Sequence, residues 1–317
     1  MSKIEVNTPP KLNHPFLAGM LFMIVGTLCF ASKSIFIKWA YSFGATPEST
    51  LFFRQVIATP LFCIIFLIYR AKLSEKPAKA DIVKAGITGL LVFFLSPLLD
   101  FIGLHYVSAI VERMLVMSYP IFVMIISFFG KMEKITAADI ISVVVVSIGI
   151  FFSIGGWNLH ELSANIFGAF LVLLSSAVYG LYLVLSGQLV RKVGSIRMNA
   201  YGMSLASIAM AHFLIIRKGF GYQTELWSFQ PPVYFLFLII AVFTTVVPFL
   251  FMLEGIKRIG AVRGSLISMM GPIITIIFGA FFLGERLTWI QWIGCFIVLS
   301  MITFSEGRKI KLAEPPI

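Results

Sequence analysis

Charge is scarce in this chain. Of its 317 residues, 12% are Asp, Glu, Lys or Arg, while 59% are hydrophobic. Soluble domains carry about a quarter charged residues because their surface faces water. A water-soluble globule is therefore excluded, and a mean hydropathy of +0.98 describes a surface built to face lipid. Cysteine is almost missing as well. Cys29, Cys63 and Cys295 lie inside apolar runs without CxxC spacing, which excludes a disulfide framework and a thiolate metal site. The four histidines, His14, His105, His160 and His212, are scattered. There is no HExxH, no Gly-rich phosphate loop and no GxSxG elbow. No enzyme, cofactor or metal is therefore expected, and His212 reads as a hydrogen-bonded core histidine. A cleavable leader is not expected: the polar MSKIEVNTPPKLNHP precedes an apolar run longer than the ~7–15 residues of a signal core. That first run is expected to be a retained membrane helix.

What is present is a series of long apolar runs. A bilayer core about 30 Å thick needs roughly twenty apolar residues per helix. That ruler finds ten segments, at 16–38, 50–69, 83–102, 109–129, 138–156, 165–189, 200–216, 233–253, 262–282 and 290–304. With both termini in the cytoplasm, eighteen of the 25 basic residues fall on the inside. Lys38, Arg217, Lys218 and Arg286 fall outside, and Lys33, Arg54 and Arg113 lie within spans. This bias sets orientation, so the net charge of +11 serves topology and nucleic acid is not an expected partner. Trp39, Trp157 and Trp227 suit an interfacial aromatic belt.

The chain repeats itself. SYPIFVMIISFFGKMEKIT (118–136) and MGPIITIIFGAFFLGERLT (270–288) share a proline, an apolar run, a charged step and a threonine at an offset of 152. The same offset pairs Gly103 with Gly255, Ala109 with Ala261, Pro120 with Pro272 and Glu133 with Glu285. Pro97 and Pro248 agree after a slip of one residue, and Gly19 aligns weakly with Gly168. Two five-helix halves result, each with an odd number of helices, so the second must be inserted upside down, as in many secondary transporters. The expected organisation is a tail over 1–15, one repeat over 16–156, the other over 165–304 and a tail over 305–317. Thr288 and Gln291 fit a capping box, Thr136 and Asp139 approximate one, and Glu133 and Glu285 read as turn and interface structure.

These halves resemble tandem EamA domains of the drug/metabolite transporter superfamily. The resemblance rests on FIKWAYSFGATP (36–47), LFFRQ (51–55), GLHYVSAIVERMLVMSYPIFV (103–123) and the 255–288 region ending in GPIITIIFGAFFLGERLT. It covers nearly the whole chain and departs from the pattern at the long outer loop 221–232. It implies an all-α integral membrane fold and a carrier, and it is poorly specific for substrate. Lys38 and Arg54 match basic residues usual in that family, whereas Lys33 stands where a small or apolar residue is more common.

A charge at a membrane-helix centre costs roughly 2.5–3.5 kcal/mol on insertion scales. Lys33, Arg54, Asp100, Glu112 and Arg113 all fall in the outer halves of the first four spans, and the similar depths of Lys33 and Arg54 allow convergence. Arg113 shares a helical face with Met117 and Pro120, and its repeat counterpart Ser265 shares one with Met269 and Pro272. These two faces form the expected pathway wall, the prolines freeing carbonyls toward it. A pairing of Arg113 with Asp100, or snorkelling to the interface, is the plainer alternative. Three cations against two carboxylates favour a substrate bearing a carboxylate or phosphate. Asp100 is a candidate carrier of a coupling proton, with an ion-pair role as the equal alternative.

The expectation is an alternating-access carrier in a bacterial inner membrane, monomer or homodimer, exporting small metabolites such as amino acids. Uptake or exchange of nucleoside-like or vitamin-like metabolites is the alternative. A channel would place like charges around a symmetry axis, whereas these sit in one half.

Overall fold

The computed structural model describes residues 14–70, 77–130, 137–153, 159–222, 224–259, 267 and 270–313. Every regular element among them is a helix. The first half comprises α1 (His14–Ala31), α2 (Lys33–Ser42), α3 (Pro47–Tyr69), α4 (Lys79–Leu90), α5 (Ser96–Tyr106), α6 (Ala109–Val116), α7 (Tyr119–Phe129) and α8 (Ala137–Ser153). The second comprises α9 (Leu159–Val193), α10 (Ser195–Gly219), α11 (Pro231–Ala241), α12 (Val247–Ile259), α13 (Gly271–Phe282) and α14 (Trp289–Ala313). Seven helical stretches are long and apolar enough to cross a membrane, and Val144–Ser153, Gly271–Phe282 and Trp289–Met301 are shorter apolar helices. The chain is an all-α, multi-pass membrane protein. In lipid only internally bonded backbone is tolerated.

Leu91–Leu95 joins α4 to α5 as a π-helical turn, and Val242–Val246 joins α11 to α12 as another. Pro97 and Pro248 follow them after one residue. Proline lacks the N–H that its i−4 carbonyl would accept from, and the backbone widens by one residue ahead of it. The repeated proline is thus a repeated irregularity in the backbone.

The halves exchange contacts. α5 packs along α9 and α12 packs along α1. A Cβ on Gly103 would lie 2.9 Å from the Gly168 carbonyl oxygen, and one on Gly255 would lie 3.1 Å from that of Gly19. The offset pairs Gly103 with Gly255 and Gly19 with Gly168, so each contact is the other's mate with the halves swapped. That is what a two-fold relation requires. Without a hydrophobic force between helices in lipid, such close backbone approach supplies the packing.

Toward the α2–α3 end, Phe53 stacks on Phe237 at 4.7 Å and meets Tyr234 and Trp227 edge-on. Glu48 and Arg217 form an ion pair there between α3 and α10. Trp39 is packed edge-on against Phe36 and Phe282, where α2 meets α13. Trp157 lies outside the described residues. His212 corrects an expectation: it is exposed on α10, its ring satisfied by the Ile208 carbonyl 2.8 Å away. One turn of its own helix meets its polar need, so no core partner is required.

Candidate functional site

Two helices are interrupted among the described residues, and a third starts beside them. Ser32 separates α1 from α2, Met117 and Ser118 separate α6 from α7, and Met270 precedes α13. Ser32 Oγ donates to the Cys29 carbonyl at 2.8 Å, and Ser118 Oγ to that of Leu115 at 2.6 Å, each turning back on its preceding turn. Pro120 and Pro272 occupy the second position of α7 and α13. This corrects the expectation of a proline inside a continuous helix over 109–129; of the segment expected over 262–282, residues 262–266, 268 and 269 lie outside the described ones. In a first turn a missing N–H leaves no intrahelical bond unmade, so these prolines open helices.

The breaks lie close together. Thr275 Oγ1 donates to the Ala31 carbonyl at 3.0 Å, fastening α13 to the end of α1. The Arg113 guanidinium stands 5.1 Å over the Phe30 ring. A Cβ on Gly271 would lie only 2.7 Å from Arg113 Nη2. Interrupted helices are a common setting for transporter binding sites.

Beside the breaks sits the charge cluster. Lys33 Nζ is 2.6 Å from Asp100 Oδ2 and 3.7 Å from Glu112 Oε1. Ser34 Oγ donates to Glu112 Oε2 at 2.5 Å. Phe101 packs beneath two cations, Lys33 at 5.7 Å and Arg54 at 5.3 Å from its centroid. Lys33, Arg54, Asp100 and Glu112 therefore converge. Arg113 points elsewhere: among the described residues no carboxylate lies within 4.0 Å of it.

Arg54 has a second task. Arg54 Nη2 at 3.2 Å and Gln55 Nε2 at 2.8 Å both donate to the Phe93 carbonyl. Phe93 lies four residues before Pro97, which has no N–H to offer its carbonyl. α3 thereby bonds to the π-helical turn.

Several buried polar atoms are left without a hydrogen-bond partner among the described residues. They include Thr27 Oγ1, Arg54 Nε, Asp100 Oδ1, Glu112 Oε1 and Arg113 Nε. Each such group costs about 1–3 kcal/mol if nothing bonds it. They are concentrated in one region, beside the helix breaks.

Of the other expected residues, Met117 is half-buried within the α6–α7 break and Pro272 is buried. Ser265 and Met269 lie outside the described residues, as do Glu133 and Thr136. Glu285 does serve structure: its oxygens accept from the Ala109 and Ile110 amides at 2.7 and 3.1 Å, capping α6 across the two halves. Ser34, Thr27, Gln55 and Gly271 were not singled out from the sequence. A hydroxyl or amide amid apolar residues was the available signal for the first three.

Buried charges at helix breaks, in a chain of two related halves, define a membrane transport protein. The EamA-like transporter family profile matches residues 17–155 and 166–305, and the chain belongs to that family, within the drug/metabolite transporter superfamily. The uncharacterized transporter YcbK of Bacillus subtilis (strain 168) is 53% identical over 297 residues, covering 94% of this chain and 95% of its own. The uncharacterized transporter YoaV of the same organism is 28% identical, covering 80% and 86%. An uncharacterized transporter of Archaeoglobus fulgidus is 26% identical over 80% of this chain and 85% of its own. A protein of known crystal structure shares the fold at a TM-score of 0.62 and 13% identity, covering 94% of this chain and 99% of that one.

Proposed function

We propose that this transporter is an alternating-access carrier exporting small carboxylate-bearing metabolites, amino acids foremost. One observation carries the reading. Arg113 is 4% exposed, reaches from the first half to the second, and has no carboxylate within 4.0 Å of it among the described residues. Unpaired charge inside a membrane marks a substrate path. The whole cluster holds three cations and two carboxylates, an excess that suits an anionic group on the solute.

The proposal includes ten spans in two inverted five-helix repeats, each half an EamA unit over 16–156 and 165–304. Both termini face the cytoplasm, consistent with the distribution of Lys and Arg. A bacterial inner membrane is the proposed location, supported by the Bacillus relatives. Asp100, held by Lys33, is the proposed carrier of a coupling proton. Arg113, Met117, Pro120, Ser265, Met269 and Pro272 are the proposed pathway wall.

The test is metabolite profiling of proteoliposomes loaded with cell extract, comparing the unmodified protein with Lys33→Ala/Arg113→Ala. Selective loss of one carboxylate-bearing class through the unmodified protein alone is expected. Equal leakage through both returns these residues to a structural role. No selective movement by folded, inserted protein removes the carrier reading.

A further inference from the structure

The cluster is not uniform in what it can bind. Asp100 and Glu112 are engaged by Lys33 and Ser34, and Arg54 spends a donor on the Phe93 carbonyl. Lys33 therefore serves as the counter-ion of two carboxylates rather than as a free cation. Arg113 remains. Its guanidinium face is covered by Phe30, which leaves the edge of the fork for partners. Two parallel bonds from such an edge match a carboxylate.

Its surroundings point to the same ligand. The side chain ends against Gly271, the first residue of the 12-residue helix α13. The start of a helix carries partial positive charge, so a cation there is disfavoured and an anion favoured. A guanidinium and a helix N-terminus meet in a buried place, and Asp100 and Glu112 are contacted by Lys33 rather than by Arg113, so the positive field there is only partly offset. Thr27 adds a donor from α1. Its Oγ1 is buried and lacks a partner among the described residues, and its Cγ2 is 3.8 Å from where a Gly271 Cβ would stand. Thr27, Arg113 and Gly271 belong to α1, α6 and α13, and so to both halves.

We infer that the carboxylate of the transported solute docks on Arg113, the Thr27 hydroxyl and the first turn of α13 at Gly271. This rests on the carrier reading for its biological meaning, though its binding chemistry stands apart from it. Gly271 is the positioning residue: any side chain there displaces the guanidinium, which being the far end of a flexible chain can move without unfolding α13. A seat shared by both halves would link occupancy to their rearrangement.

The test is calorimetric titration of the purified full chain with acetate, L-alanine and 3-phenylpropanoate. Acetamide, 3-phenylpropanamide and phenyl phosphate serve as comparisons. At least one carboxylate is expected to bind and its amide not. Arg113→Ala loses about 10- to 100-fold in affinity, the value of a charged hydrogen-bond pair. Thr27→Val, which keeps the side-chain volume, loses about three- to tenfold. Gly271→Ala weakens binding with Arg113 still present, and adds nothing to the loss in Arg113→Ala. Thr27→Val and Gly271→Ala guard against the chance that Arg113→Ala does not fold. Four results overturn the inference: no carboxylate binds; carboxylate and amide bind alike; phenyl phosphate alone binds; or Thr27→Val and Gly271→Ala both bind as the unmodified chain does. Flux in proteoliposomes separates the two ideas. Carboxylate flux that survives in all three variants removes the seat and leaves the carrier. Arg113-dependent binding in a protein that moves no solute keeps the seat and removes the carrier.

Discussion

Gly103 and Gly168 meet backbone to backbone: a Cβ added to either would lie 2.9 Å from the other's carbonyl oxygen. Gly103→Ala must also accommodate Val172 Cγ2 at 2.6 Å. Overpacking of this kind costs about 1–3 kcal/mol, and thermal melts in detergent are expected to show that loss. Gly219→Ala is the control, since nothing lies within 4 Å of its added Cβ, and it should melt as the unmodified protein does.

Lys33→Met should be among the more damaging single changes in the cluster. It leaves buried Asp100 and Glu112 without their ammonium, and breaking one side of a buried pair costs about 3–5 kcal/mol. The double variant Lys33→Met/Asp100→Asn should recover much of this. A double-mutant cycle in thermal stability reads the coupling, expected at about 1–3 kcal/mol; additive losses would show that the 2.6 Å contact carries no energy.

Gln55→Leu removes the shorter of the two donors to the Phe93 carbonyl and should cost about 1 kcal/mol. Pro97→Ala restores an N–H to the helix, which can then bond that carbonyl directly. In the Pro97→Ala background Gln55→Leu is expected to cost much less. Equal losses in both backgrounds would separate the amide from the proline.

Glu285→Ala strips α6 of the acceptor for its Ala109 and Ile110 amides. Loss of a cap costs about 0.5–2 kcal/mol, and the charge at a helix start adds to it. Glu285→Gln should fall between, because it keeps one acceptor oxygen and loses the charge. Hydrogen exchange at those two amides, faster in Glu285→Ala, is the local readout.

Much of the architecture was legible because it repeats. The 152-residue offset paired Gly103 with Gly255, Gly19 matched Gly168 weakly, and the structure brings these same glycines into exchanged contacts. Thr288 and Gln291 form the capping box their spacing suggested, bonded at 2.9 and 3.3 Å. Similar depth on neighbouring helices allowed Lys33 and Arg54 to converge, and both stand over Phe101. Depth does not give rotation about a helix axis, however, and rotation decided that Arg113 turns away toward Gly271. Nor does a proline announce whether it bends a helix or restarts one: Pro97 follows a π-helical turn, whereas Pro120 and Pro272 open new helices. Ser34 and Thr27 escaped notice because hydroxyls in membrane helices commonly bond their own backbone, and only the fold shows which ones do not.

The measurement closest to the central claim is trans-stimulated exchange in proteoliposomes, using a solute selected by metabolite profiling. An alternating-access carrier returns faster when loaded, so unlabelled solute inside should accelerate entry of labelled solute. Acceleration in the unmodified protein and its loss in Gly271→Ala are the predicted results. Labelled entry that is saturable by neither side and indifferent to internal solute would contradict the account and describe a pore instead.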